Sequence, residues 1–187
     1  MAAWLRAFHD RFAKSPPAGG HLLAYGAQLL GGWRDQALAM HPDLSAHRPA
    51  LELGLRILTS APPTFIHGEF YPSNVMVAEG RIAPVDWEMA GIGAGALDVA
   101  ALLSGWDQRH QAEISSGYGK LVAEQLHAAQ LYVALRWLGQ PPGWRPPDWQ
   151  RNDWRSQALA AARRLANRRG SLDVSRAGSR TPPPALD

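Results

Sequence analysis

Cysteine is absent from the 187 residues, which removes disulfides, thiolate metal sites and thiol nucleophiles at once. Lysine is nearly absent too: Lys14 and Lys120 are the only two, and neither lies in a β-type run. No apolar stretch approaches the ~20 residues of a membrane span. Met1-Ala-Ala-Trp4-Leu5-Arg6 lacks the charged-then-apolar pattern of an export signal. The expectation is a soluble cytoplasmic protein with no membrane partner. His9, His21, His41, His47, His110 and His127 show no metal-ligand spacing with one another, so surface positions are expected for all six.

What is present is enough for one core. A 46% hydrophobic content over this length can bury a single sizeable domain, and nothing demands a second. The net charge of +3 is uneven, because the basic excess follows residue 144. There Arg163, Arg164, Arg168 and Arg169 follow a helical pattern into a Pro/Ser/Gly-rich end. A solvated helix face explains that better than a nucleic-acid partner.

Apolar spacing predicts helices over about 2–14, 21–40 and 48–59, each ended by a Pro or Gly cluster. Thr64-Phe65-Ile66, Val75-Met76-Val77 and Arg81-Ile82-Ala83-Pro84-Val85 then read as short strands, with Glu79-Gly80 as a hairpin turn. Helices resume at about 95–106, 111–118 and 120–138, and the last is apolar almost all round, so a central position is expected. Gly91, Gly93 and Gly95 read as a flexible link. A final helix begins near Trp154, and residues 170–187 are expected to be a disordered tail after a lobe spanning 1–169. Trp4, Trp137 and Trp154 sit on apolar faces, while Trp106, Trp144 and Trp149 could line a substrate mouth.

The chemistry concentrates between residues 67 and 86. His67-Gly68-Glu69-Phe70-Tyr71-Pro72-Ser73-Asn74 sets a carboxylate five residues before an amide. A turn centred on Glu79-Gly80 pairs residues whose numbers sum to 159, which puts Asn74 opposite Val85 and beside Asp86. Hard oxygen ligands brought together from two strands suit a magnesium site for phosphoryl transfer. A metal-dependent hydrolase using His67, Glu69 and Asp86 remains a rival reading, weakened by the shortage of histidine ligands.

The series HGEFYPSN, PVDWE and GAGALDVA resembles the aminoglycoside phosphotransferase and choline kinase-like superfamily, over about residues 2–168. The resemblance implies an α+β fold: a protein-kinase-like C-terminal lobe, mostly helical, with a small β-hairpin sheet carrying the catalytic loop. It implies an ATP- and magnesium-dependent kinase that phosphorylates a hydroxyl of a small molecule. Glu69 then stands at the base position, with Asn74 and Asp86 on magnesium. His67 and Asp98 brace the loop, and Glu88 reaches or braces the metal shell.

Two departures accompany the resemblance. The usual Asp is Glu69, whose extra methylene displaces the carboxylate by roughly 1.5 Å. No Gly-rich phosphate loop or strand-borne lysine precedes residue 67, so an N-terminal lobe is expected to be missing or supplied by a separate chain. Weak ATP binding by this polypeptide alone, or a non-catalytic binding or regulatory role, is the corresponding expectation.

Overall fold

The computed structural model describes residues 1–119, 121–141, 143 and 153–177, with side chains described as far as Asn167. Lys120, Trp144 and Trp149 lie outside the described residues. The chain runs α1 (Ala2–Ala13), β1 (Leu23–Ala24), α2 (Ala27–Met40), a 3-10 turn over Pro42–His47, and α3 (Arg48–Ser60). Four strands follow: β2 (Pro63–Ile66), β3 (Val75–Ala78), β4 (Arg81–Pro84) and β5 (Gly91–Ala94). The rest is helical, with α4 (Ala96–Leu103), α5 (Gln108–Tyr118), α6 (Ala123–Leu138) and α7 (Trp154–Ala177). This is the α+β architecture of a kinase C-terminal lobe.

The apolar helix is central, as its composition requires. Leu131, Tyr132, Ala134 and Leu135 of α6 are buried, packed with Leu51 and Leu58 of α3, Leu30 and Ala37 of α2, and Leu165 of α7. Gly54 lets α3 approach this helix: a Cβ there would sit 3.2 Å from the Tyr132 ring. A second, smaller core joins Leu5 of α1 to Phe70, Val75, Val99, Leu102 and Tyr118. The loop from His67 to Asn74 therefore lies between two cores, with Phe70 anchored in one and Tyr71 in the other.

The β3–β4 hairpin has the expected register, from Val75 opposite Pro84 to Ala78 opposite Arg81. Its two turn residues both have positive φ, Glu79 at 50° and Gly80 at 73°, the pattern of a type I′ turn whose twist matches the strands. Pro84 closes β4 where its missing donor costs no ladder bond.

Two local expectations fail. Gly91 and Gly93 are not a link but belong to β5, the middle strand of a three-stranded sheet in the order β1-β5-β2. Absence of side chains makes this strand possible: a Cβ on Gly91 would meet the Leu23 carbonyl oxygen at 2.2 Å, and one on Gly93 the Tyr25 Cβ at 2.5 Å. The helix expected from residue 21 begins instead at Ala27, because Leu23 and Ala24 pair in parallel with Gly91 and Ile92. At the other end, α7 reaches Ala177, past the residue at which the sequence pattern ends the lobe, and residues 178–187 lie outside the described residues.

Candidate active site

The loop from His67 to Asn74 leaves β2 and enters β3, and Asp98 organises its start. Asp98 lies in the first turn of α4, is fully buried, and accepts from the backbone N–H groups of His67 and Gly68, both at 2.8 Å. Its Oδ2 also meets His9 Nε2 of α1 at 3.1 Å, and His9 Nδ1 meets the Tyr118 hydroxyl at 2.8 Å. One carboxylate thus ties α1, α4 and the loop together, through charge-assisted hydrogen bonds that water does not reach. His9 is only 3% exposed, contrary to the surface position expected of it. It occupies the apolar side of α1 next to Leu5 and Phe8, and its polar ring is accommodated because both nitrogens have partners.

Gly68 permits the bend that follows. Its φ is +81°, and a Cβ there would lie 2.1 Å from the Tyr25 hydroxyl and 2.2 Å from the Met89 carbonyl oxygen. Tyr25 donates to that same carbonyl at 2.6 Å, closing the loop against the segment after Asp86. Burial pushes the Tyr25 phenol up, well beyond the ordinary range, so it remains a donor.

His67 is fully buried and spans the two halves of the site. Its Nε2 donates to the Val85 carbonyl at 2.9 Å, and its Nδ1 accepts from the Glu69 N–H at 3.3 Å. That is a bracing role, since both ring nitrogens are spent on backbone. Asn74 completes the frame: its carbonyl accepts from the Val85 N–H at 2.9 Å, and its Nδ2 donates to the Glu69 carbonyl at 3.1 Å. With Nδ2 committed to a carbonyl, the amide orientation is settled, and Oδ1 faces the other way, accepting only a long 3.4 Å contact from the Ser73 hydroxyl.

Asp86, next to Val85, is exposed and has φ +66°, a left-handed conformation costing roughly 1–2 kcal/mol for a residue with a Cβ. Such strain is found where a side chain must be aimed. Glu88 is exposed and forms no hydrogen bond among the described residues. The structure therefore links His67, Glu69, Asn74, Asp98 and, through Val85, Asp86, and leaves Glu88 apart. Among the described residues no three His, Cys, Asp or Glu side chains cluster as a metal site. The donor chemistry of Asn74 and Asp86, an amide oxygen and a carboxylate, is of the kind magnesium takes, since it commonly binds only one or two protein oxygens and completes its shell with water and phosphates.

The Glu69 carboxylate has a partner that the motif does not announce. Arg136 Nη2 of α6 lies 2.6 Å from Glu69 Oε1, and the two side chains are only 14% and 15% exposed. The available signal was an arginine inside the otherwise apolar run Leu131–Leu138. Trp137 Nε1 donates to the Tyr71 hydroxyl at 2.6 Å, and burial raises the Tyr71 phenol to about 12.

Comparison with solved structures finds the same fold. Choline kinase LicA from Streptococcus pneumoniae superposes with TM-score 0.60 at 16% identity, over 89% of this chain and 62% of that one. A choline/ethanolamine kinase family protein from Mesorhizobium loti gives 0.56 at 19%, over 89% and 60%. The ADP-bound aminoglycoside phosphotransferase APH(2'')-Ib gives 0.51 at 16%, over 88% and 60%. At these identities the likeness is one of fold, and the chain spans about three fifths of the length of these proteins. No curated protein sequence matches. Among the described residues no helix is long and apolar enough to cross a membrane. The profile of the Phosphotransferase enzyme family matches residues 1–138, most of the chain, and the protein belongs to that family.

Proposed function

We propose that this chain is the catalytic lobe of a small-molecule kinase that moves the γ-phosphoryl of ATP to a hydroxyl group. The observation that carries the reading is the position of Asn74, which is bonded at once to the Glu69 carbonyl and to the Val85 N–H beside Asp86. Base and metal ligands are thereby held in one frame. Asn74 Oδ1 and the Asp86 carboxylate would hold magnesium, which when bound neutralises charge on the phosphates. Glu69 would accept or orient the hydroxyl proton through Oε2, since Arg136 takes Oε1. His67 and Asp98 keep the loop backbone fixed while this happens, and catalysis is chiefly positioning.

The groups that would grip the β and γ phosphates, a Gly-rich loop and a strand lysine, do not precede the loop in this sequence. Without them, ATP affinity of this chain is expected to be weak. The test is magnesium-dependent phosphoryl transfer from millimolar ATP to a panel of aminoglycosides, amino alcohols and sugars. Asp86→Ala is expected to remove it, and unchanged turnover in that variant would refute the assignment. A non-catalytic binding module is favoured by one specific observation, the engagement of Glu69 by Arg136. Absence of transfer to any hydroxyl, with no magnesium-dependent ATP binding in calorimetry, would establish that second reading instead, and tight binding would argue against it.

A further inference from the structure

We propose that Arg136 is the positioning residue for Glu69, a fixed cation that holds the longer carboxylate in one place beside the loop. The inference rests on the reading of Glu69 as the base and explains why that position carries Glu. An exposed ion pair would mean little, since such pairs contribute about 0–1 kcal/mol. This one is different, because both side chains are more than four fifths covered and the contact is 2.6 Å.

Arg136 is itself immobilised. Its Cζ lies 5.5 Å from the ring centroid of Trp33 on α2 and 5.5 Å from that of Trp137, so two indoles confine the guanidinium. Trp137 is in turn fixed by its hydrogen bond to Tyr71, whose own N–H donates to the Glu69 carbonyl at 2.7 Å. The circuit closes on the same short loop: Glu69, Arg136, Trp137, Tyr71 and back to the Glu69 backbone. Among the described residues, Arg136 Nη1 is buried without a hydrogen-bond partner, a cost to the guanidinium. A buried ion pair held at such a cost suits a positional role better than a stabilising one.

Geometry makes the two residues a matched pair. Aspartate at position 69 would withdraw the carboxylate by roughly 1.5 Å, out of reach of Arg136. The extra methylene is thus no loose end, because the arginine defines where it stops. Oε1 is occupied and Oε2 remains for the acceptor hydroxyl.

The test is a double-mutant cycle on the full chain with millimolar MgATP and the hydroxyl panel, water included as acceptor. Arg136→Gln is expected to lower turnover by about 10²-fold, the scale of a ~1 Å misplacement. Affinity for MgATP in calorimetry should be unchanged, and Arg136→Lys should recover part of the loss. In a Glu69→Gln background the same Arg136→Gln change should cost almost nothing further. Equal losses in both backgrounds, or full activity of Arg136→Gln, would overturn the proposal. Full activity of Glu69→Gln would instead remove the base reading beneath it. A second measurement stands free of turnover: the side-chain methylene carbons of ¹³C-labelled Glu69 should report one rotamer in the native chain and averaging in Arg136→Gln. A single unchanged rotamer in folded Arg136→Gln, or in Arg136→Met where the glutamine variant fails to fold, overturns the proposal whatever the activity.

Discussion

Replacing Asp98 tests whether the loop is held from behind, and its cost can be worked from three contacts. The carboxylate accepts from His67 N–H, Gly68 N–H and His9 Nε2, and none of it reaches solvent. Asp98→Asn keeps the shape but offers one oxygen and one NH2 group. Whichever way the amide turns, the NH2 faces at least one donor, leaving an orphaned buried N–H at about 1–3 kcal/mol. Loss of the charge from the remaining bonds adds roughly 1 kcal/mol. A total near 2–4 kcal/mol is a large part of the ~5–15 kcal/mol that holds a domain together. It corresponds to a fall in Tm of roughly 4–16 °C for a chain of this size. Asp98→Ala should cost more, because both loop amides lose their acceptor. Urea unfolding followed by tryptophan fluorescence measures both variants. A loss below about 1 kcal/mol for Asp98→Asn would refute the reasoning, since it would mean the loop amides find other acceptors.

Two further outcomes follow from the same frame. Gly68→Ala combines a left-handed φ with contacts near 2 Å, whereas Gly80→Ala has a similar φ and open space around it. The second should cost about 1–2 kcal/mol from backbone strain alone, and the first that plus ~1–3 kcal/mol of overpacking; equal unfolding midpoints would refute the steric account. For alkaline pH the sign comes from Tyr71 and Tyr118, whose phenols burial raises to about 12 from an ordinary value of 10.0. Their contribution is fully present below pH 10 and is lost as pH rises towards 12. For the well-buried Tyr71 it amounts to roughly 2–3 kcal/mol. Absorbance titration at the phenolate band, with unfolding measured in parallel, should show Tyr71→Phe flattening that loss.

The hairpin was legible because a two-residue turn and strand alternation together number every pair, and the observed register follows that arithmetic from Val75 to Arg81. Legible too was the convergence of Asn74 on Val85, which needs only local chain geometry. β5 was hidden, since Ile92 is the one large side chain among two glycines and an alanine, too little for a strand pattern, and the strand is defined by neighbours more than 25 residues away in sequence, such as Phe65 and Leu23. His9 and Arg136 were hidden for a related reason. Their partners lie 89 and 67 residues away, and no spacing rule connects a helix face to a loop over such separations. Each was nevertheless an anomaly in its own helix, a polar ring or a charge among apolar residues.

The glycines of β5 carry a consequence for how this protein tolerates change. On the proposed function, a substitution at Asp86 or Asn74 removes atoms that the chemistry needs, and a neutral library is expected to lose activity while the chain stays folded. At Gly91 and Gly93 any substitution adds atoms where the Leu23 backbone and the Tyr25 side chain already stand. Those variants should vanish from the soluble fraction first. A saturation library sorted once for abundance and once for phosphoryl transfer would therefore separate two kinds of intolerance, and the strand with the least chemistry in it would be the harder of the two to vary.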